Sequence, residues 1–563
     1  MKLAGMASNR GRNLVHIADR APADVDVSVV LTDDEAAPVL ETAAKRGVPT
    51  EAIVRGATES RRDHERRVLA ALADYEFDLV CLDGYMRILS DTFLDAAPTA
   101  LNVHPSLLPS FPGGDAWGDA LDAGVSVTGC TVHVVTDATD AEGNVVDAEV
   151  DTGPIVTQEP VPVYAGDTAD ELKDRVLYKG EFRAYPRAVR WFAADRVTVD
   201  HDAGTVHVEG DDGGEFPARR VTSTDRAAEL RYGENPHQDA ALYADDTADE
   251  ASVARAPQLN EGAKGMSYNN YNDADAALNL IKEFEEPAAA VIKHTNPTGC
   301  AVAGSPAVAY ERALSTDPQS AFGGIVALNR ECDGTTAERI VDSFKEIVVA
   351  PGYTRDALDV LRGKENLRLL DVGSEVSQTS DDASEVSQAS DDASGAQPRA
   401  FGEPTETLAE KGIVGGRLVQ ERDRQDITVD DLEVVTEREP TDTQLESMLF
   451  AWRTIRHVKS NAVLYAAGTE TVGIGMGQVS RVDAVRLAAL KADEHAEGKD
   501  AEGAVMASDA FFPFPDGIER AAEAGIEAVV QPGGSKNDDA VIQAADGHDM
   551  AMVFTGQRCF RHD

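Results

Sequence analysis

The chain lacks paired cysteines. Its five, Cys81, Cys130, Cys300, Cys332 and Cys559, stand far apart with no C-x-x-C among them. That excludes a zinc ribbon or a redox dithiol, and they read as small buried residues. A disulfide framework is not expected in a large chain of a reducing compartment. No run of eighteen apolar residues occurs, so no transmembrane helix is expected. Met1 to Met6 is too brief an apolar stretch for a signal peptide, and a cytoplasmic location is expected. Basic residues are also scarce: Lys and Arg number 52 against 100 Asp and Glu, a net charge of −48. Such a surface repels nucleic acid and anionic membrane, so neither is an expected partner. The acids are spread over the whole length, a pattern suited to high salt, where cations screen the self-repulsion.

What the chain does have is length and rhythm. With 563 residues, 42% of them hydrophobic, it can form three or four compact units. The first two hundred residues alternate short apolar runs, Val25 to Leu31 and Phe77 to Leu82, with helical stretches, Asp34 to Arg46 and Arg61 to Tyr75. This alternation predicts an α/β, doubly wound domain over 1–200, whose ligands bind at the carboxyl ends of strands near a switch in strand order. Residues Val197 to Arg220 read as a hairpin and linker, with the linker proper at 201–224 and a second domain over 225–563. Inside that domain, Ser374 to Ala383 is repeated almost verbatim as Ser384 to Ala393. A tandem of Ser, Asp and Gln cannot bury a core, so a disordered insert is expected at about 373–398. Ala288 to Lys293 before Asn296-Pro297-Thr298-Gly299, and Thr471 to Ile474 before Gly475-Met476-Gly477, both read as strand, glycine, helix. The second lacks the spacing of a dinucleotide fingerprint and reads as a glycine loop that lets backbone approach a ligand.

Two groups of residues carry chemistry. In Asn102-Val103-His104-Pro105-Ser106-Leu107-Leu108-Pro109 the prolines exclude a helix. Asn102 and His104 alternate as on a strand end, aimed into one space. One offers a donor to an oxyanion; the other moves a proton near neutral pH. Asp151, at a tight turn, supplies a carboxylate that would fix the tautomer of an imidazole and raise its pKa. Farther on, Lys293 and His294 close an apolar run before an expected Asn296-Pro297 turn. A Lys and a His on consecutive positions there offer a cation for a developing oxyanion and a base for a proton.

Around the first group, Ser8 to Leu14, Gly84 to Leu89, Gly129 to His133 and Asp151 to Ile155 accompany Asn102 to Pro109. Together they resemble glycinamide ribonucleotide formyltransferases over roughly residues 1–195. The resemblance implies a 10-formyltetrahydrofolate donor and a primary-amine acceptor. It implies that Asn102 stabilises the oxyanion, His104 shuttles protons and Asp151 orients and charges it. It assigns the substrate phosphate to Gly11, Arg12 and Asn13, and the folate pocket to Arg61, Met86, Arg87, Ile88 and Leu89. Departures are Asn9-Arg10-Gly11-Arg12-Asn13 in the phosphate loop, Asp115 and Trp117 where a histidine is usual, and an insert at Asp140 to Glu149. Two alternatives stay open for this domain: another amine acceptor, or a non-catalytic folate-binding module.

Around the second group, Leu230 to Gln238, Ser267 to Asn270, Ser320 to Gly324, Lys459 to Ala462, Gly473 to Arg481, Ser508 to Asp516, Gln531 to Ser535 and Phe560-Arg561-His562 occur in order. They resemble the aminoimidazole carboxamide ribonucleotide (AICAR) formyltransferase domain of the bifunctional purine biosynthesis proteins, over 225–563. The resemblance implies two cytidine-deaminase-like α/β subdomains, a homodimer with shared sites, and no metal; P-C-x-x-C is absent. It makes His294 the proton acceptor and Lys293 the transition-state stabiliser. It gives nucleotide or folate binding to Arg231, Tyr232, Gly323, Glu346, Asn461, Arg481, Phe511, Asp516, Ser535 and Arg558, whose arginines suit phosphate. No stretch is left for the cyclohydrolase that usually precedes this domain, so a separate enzyme is expected to close the inosinate ring.

Overall fold

Short apolar segments at the start of the chain form the strands Lys2–Met6 (β1), Asp26–Thr32 (β2), Thr50–Ala52 (β3), Leu79–Leu82 (β4), Ala100–His104 (β5), Val127–Val134 (β6) and Ile155–Pro162 (β7). In the computed structural model they make one sheet of order β3-β2-β1-β4-β5-β6-β7. The first five run parallel, and β6 and β7 are antiparallel additions. The structure describes all residues except 21–24, 141–143, 202, 211–213, 246, 261, 374–400, 402–404 and 563. The duplicated insert expected at about 373–398 lies, apart from Gly373, outside the described residues.

β4 reads LVCL and is buried throughout, because helices cover both faces of the parallel part. One face packs Leu3, Cys81 and Leu101 against Leu14, Ile17 and Tyr185. The other packs Ala4, Met6 and Val80 against Val68, Leu72 and Phe93. The helix expected from Asp34 occupies only Pro38–Ala44, since proline at its first turn sets where it begins. The helix Arg61–Leu72 begins as expected, with the Ser60 hydroxyl accepting from the Asp63 amide.

Contacts divide the chain into Met1–Val221 and Thr222–Asp563, fewer units than length alone suggests. The hairpin Val197–Asp200 (β8) and Thr205–Val208 (β9) buries Val208 in the first unit's core, so that unit extends past 200 into the segment read as linker.

The second unit opens with the hairpin Asp225–Leu230 (β10) and Ala240–Ala244 (β11). Its first half holds Ala288–Lys293 (β12), Asn296–Val302 (β13), Ile325–Leu328 (β14), Ile347–Ala350 (β15) and Arg368–Asp371 (β16). After the hairpin Leu408–Ile413 (β17) and Gly416–Glu421 (β18) and the short Glu433–Val434 (β19), the second half holds Val463–Ala467 (β20), Glu470–Gly475 (β21), Val505–Ser508 (β22), Ala528–Gln531 (β23) and Ala551–Phe554 (β24). The halves repeat one pattern: a hairpin, a strand antiparallel to its first arm, then two more strands parallel to that third one. They are not separate bodies. β13 pairs with β21 at Ala301–Glu470, giving one sheet of eleven strands, β16-β15-β14-β12-β13-β21-β20-β22-β23-β24-β19.

Alternation along the strands explains the joining. Ala290 and Ile292 face the same core as Leu464, Ala507 and Val530, covered by the helices Tyr268–Ile281 and Asp442–Ile455. Ala289 and Val291 face the opposite core, which is confined to the first half. A separate cluster around Tyr465, Val485 and Met506 serves the second half. Each outer edge is closed by a short piece of chain: Leu259 donates to the Leu369 carbonyl and Asp371 to that of Pro257, while β19 pairs with β24.

Two sequence expectations change here. Asn296-Pro297 is not a turn and no helix follows: Asn296 opens β13 opposite Lys293, and the reversal is made by His294 and Thr295, at φ 52° and 62°. Nor does the expected glycine loop begin at Gly475, because Gly473 and Gly475 both lie in β21. A Cβ on either would lie about 2 Å from the backbone of Ala488 or Ala484, so these glycines let the helix Arg481–Glu494 press onto β21.

Candidate active sites

In the first unit the strand order reverses between β1 and β4, and the residues singled out lie at the carboxyl ends around that point. Asn102 and His104 sit two apart on β5 and share a face. The antiparallel register sets Asn102 directly opposite His133. Asn102 Nδ2 lies 3.2 Å from His133 Nε2, and the other ring nitrogen lies 3.1 Å from the Val134 carbonyl. His133 thus stands between the Asn102 amide and the Val134 carbonyl. Asp151, left-handed at φ 58°, brings one oxygen to 3.1 Å from His104 Nδ1 and the other to 3.6 Å from His133 Nε2. Gly153 permits that approach: a Cβ there would lie 1.8 Å from the Val134 carbonyl oxygen.

His104 is buried, and its Nε2 lies 2.9 Å from the Phe111 carbonyl. Both ring nitrogens thus face acceptors, which only an imidazolium satisfies. Burial opposes the charge, but the bonds to Asp151 and Phe111 outweigh it and raise the pKa. Burial likewise pushes Asp151 up, and the two histidines hold it well below the usual carboxylate range. The trio can hold a positive charge and an amide donor beside a bound carbonyl, and return a proton to a leaving group.

Arg61, Met86, Arg87, Ile88 and Leu89 line one cavity of about 200 Å³. Arg55, His64, Glu65, Val68, Tyr85 and Val145 complete its wall, and the sequence alone assigned none of them to it. His133 was missed too, although it ends a quoted motif, because its part depends on the β5–β6 register. Asn13 requires a correction. It is 1% exposed, its backbone amide donates to Asp83 at 2.7 Å, and its Nδ2 donates to Asp83 at 3.0 Å and Glu181 at 2.6 Å. Two buried carboxylates hold it inward, so it does not present itself to a phosphate.

In the second unit, topology gathers the whole set at one end of the sheet. Lys293 and His294 end β12; Gly323 and Glu346 precede the neighbouring ends of β14 and β15. Across the β13–β21 seam, Asn461 precedes β20, Arg481 follows β21, and Phe511 with Asp516, Ser535 and Arg558 follow β22, β23 and β24. His294 is exposed. Lys293 Nζ donates to the Phe322 carbonyl at 3.0 Å. Glu346 accepts from Asn270 at 3.0 Å, and Arg231 lies over the ring of Tyr232. Asn296 Oδ1 accepts from the Lys459 amide at 2.8 Å, tying the His294–Thr295 turn to the segment that carries Asn461. Asp516 caps its own helix at the Gly517 amide, and the Ser535 amide is held by Asp538. Arg481 is corrected: its guanidinium pairs with the fully buried Asp509 and donates to Asn461 at 3.0 Å, because a carboxylate at that depth needs a counter-charge. It braces the site and is not a free phosphate anchor. Among the described residues no group of three or more His, Cys, Asp or Glu is placed to hold a metal ion, and no helix is long and apolar enough to cross a membrane.

Residues 1–189 match the sequence model of the formyl transferase family, and residues 175–491 that of the AICARFT/IMPCHase bienzyme family. Among solved structures the chain is similar to glycinamide ribonucleotide transformylase 1 from Symbiobacterium toebii, at 40% identity over 37% of this chain and 93% of that one, with TM-score 0.33. It is similar to the phosphoribosylglycinamide formyltransferases of Anaplasma phagocytophilum, at 35% over 38% and 95%, TM-score 0.33, and of Brucella melitensis, at 39% over 35% and 98%, TM-score 0.31. The protein is an enzyme that transfers formyl groups in purine biosynthesis, of a kind that uses 10-formyltetrahydrofolate. The chain belongs to the AICARFT/IMPCHase bienzyme family, with a formyl transferase domain ahead of that match.

Proposed function

We propose that the chain carries out two formylations from 10-formyltetrahydrofolate: of glycinamide ribonucleotide by the first unit and of 5-aminoimidazole-4-carboxamide ribonucleotide by the second. The observation that carries the first is the doubly bonded His104 between Asp151 and Phe111, with Asn102 beside it. The imidazolium and the Asn102 amide receive the oxyanion formed when the acceptor amine attacks the formyl carbon, and His104 gives its proton to the folate nitrogen as that leaves and takes one back from the acceptor amine. In the second unit His294 takes the amine proton and the Lys293 ammonium faces the oxyanion. The other residues gathered at that sheet end bind nucleotide and folate, with Arg481 and Asn461 bracing them. Inosinate ring closure then falls to a separate enzyme, and two chains pair through the second unit in a cytoplasm of high salt.

The deciding experiment is a steady-state assay of the purified chain with each amine and 10-formyltetrahydrofolate at high salt. Formylation of both amines is expected. Release of inosinate from the carboxamide ribonucleotide and formylfolate alone would refute the separate ring closure, and a monomer by sedimentation at working concentration would refute the pairing.

A further inference from the structure

The helix Arg12–Arg20 begins at the point of the first unit's sheet where the strand order reverses, beside the end of β4. Free amides at such a helix end would receive an anion. Here the Asn13 and Leu14 amides are already taken. One carboxylate oxygen of Asp83 accepts from the Asn13 amide at 2.7 Å and the Leu14 amide at 3.3 Å. Its other oxygen accepts from Asn13 Nδ2 at 3.0 Å, and Glu181 takes the same nitrogen at 2.6 Å. Asp83 and Glu181 are both buried, so this end of the helix is filled by carboxyl groups and not by open donors. The cations lie one step outward. Arg10 is exposed and Arg12 half-buried, on either side of Gly11, whose left-handed φ of 56° turns the loop between them. Arg12 pairs with the mostly exposed Asp174 at 3.7 Å, and it also faces the buried Asp83 and Glu181.

We propose that Asp83 closes the amide cradle at this helix, and that the acceptor's phosphate is gripped by the guanidinium groups of Arg10 and Arg12 at the rim. Asp83 is thus a specificity-determining residue, and the phosphate sits farther from the helix axis than free amides would place it. Two guanidinium groups offer paired, charge-assisted bonds to a phosphate, which explains bulky arginines on a loop beside a substrate cleft. The inference rests on the reading that the first unit formylates a phosphorylated amine.

The test compares glycinamide ribonucleotide with its dephosphorylated riboside on the full-length chain, using carboxamide formylation by the second unit as an internal control of folding. The Arg10→Ala/Arg12→Ala variant is expected to raise KM for the ribonucleotide at least tenfold, leaving kcat and the riboside's KM within about twofold. An unchanged ribonucleotide-to-riboside KM ratio overturns the proposal. Asp83→Ala, which frees the two amides, is expected to lower the inhibition constant of inorganic phosphate against glycinamide formylation several-fold; a constant that stays the same or rises overturns it. If the wild type prefers the riboside, the phosphorylated-acceptor reading fails with the proposal. If it prefers the ribonucleotide while the arginine variant keeps that preference, only the proposal fails.

Discussion

The two units solve one chemical problem with opposite settings of their histidine. In the first, His104 is buried, both ring nitrogens are engaged, and a carboxylate holds its charge in place. In the second, His294 is exposed at the tip of a two-residue hairpin turn, and the neighbouring ammonium of Lys293 is steadied by a backbone carbonyl. The lesson concerns where each site gets its low dielectric. The first builds it from its own strands and has its electrostatics set before substrate arrives. The second leaves His294 exposed, so on the proposed reading a bound substrate supplies the enclosure that strengthens charge interactions.

That contrast can be broken most sharply by exchanging losses. His104→Ala is expected to cost the first formylation about 10²–10⁴-fold and leave the second intact, and His294→Ala to do the reverse. Steady-state rates with each amine check this, and any cross-effect beyond about twofold would mean the sites are not independent. Next in size is Asp151→Asn. The carboxylate raises the pKa of His104, so the imidazolium survives to higher pH than an ordinary histidine and is lost as pH rises through the raised value. Without that charge, the alkaline limb of kcat/KM for glycinamide formylation should move to lower pH. A limb that stays in place would show that Asp151 does not hold the charge.

A smaller effect concerns stability. Burial pushes Glu181 up to about 7, against the pull of Asn13. A carboxyl raised in the folded state contributes stability at low pH, and that contribution is lost as pH climbs from its ordinary 4.5 to about 7. Glu181→Gln should therefore flatten the fall in the first unit's Tm between pH 5 and 8, as followed by calorimetry. The smallest effect is expected at the exposed turn. Thr295, β-branched at φ 62°, is strained, and Thr295→Gly should stabilise the second unit by about 1 kcal/mol or less in denaturant titration. A clear destabilisation would mean that the Thr295 hydroxyl bond to the His294 carbonyl outweighs the strain.

Much of this was legible from residue order. The β-α-β rhythm announced the first sheet, and the two-residue spacing of Asn102 and His104 placed both on one face. The five residues expected around folate do share a cavity. What stayed hidden depends on partners remote in sequence. Asp83 lies 70 residues from Asn13, and nothing in a strand-end LVCLD says that its carboxylate turns back onto a helix. Arg481 looked like a phosphate ligand because its counter-ion, Asp509, sits 28 residues on in a run that reads as apolar. Gly475 was misjudged for a related reason: a glycine that admits a helix and a glycine that admits a ligand look alike until the helix is placed. At Asn296-Pro297 proline suggested the turn, yet the chain reverses one step earlier through two residues with no composition signal for it.

The closed flanks of the eleven-stranded sheet bear on how the enzyme behaves when crowded. A sheet this wide would ordinarily offer a long row of unpaired amides and carbonyls on which another molecule's strand could grow. Here one flank is covered by Pro257–Leu259, and the other ends in β19, two residues long and begun by Glu433. Neither gives a template for runaway strand addition. Charge repulsion between acidic molecules weakens as salt rises, and these caps supply a safeguard that salt does not screen.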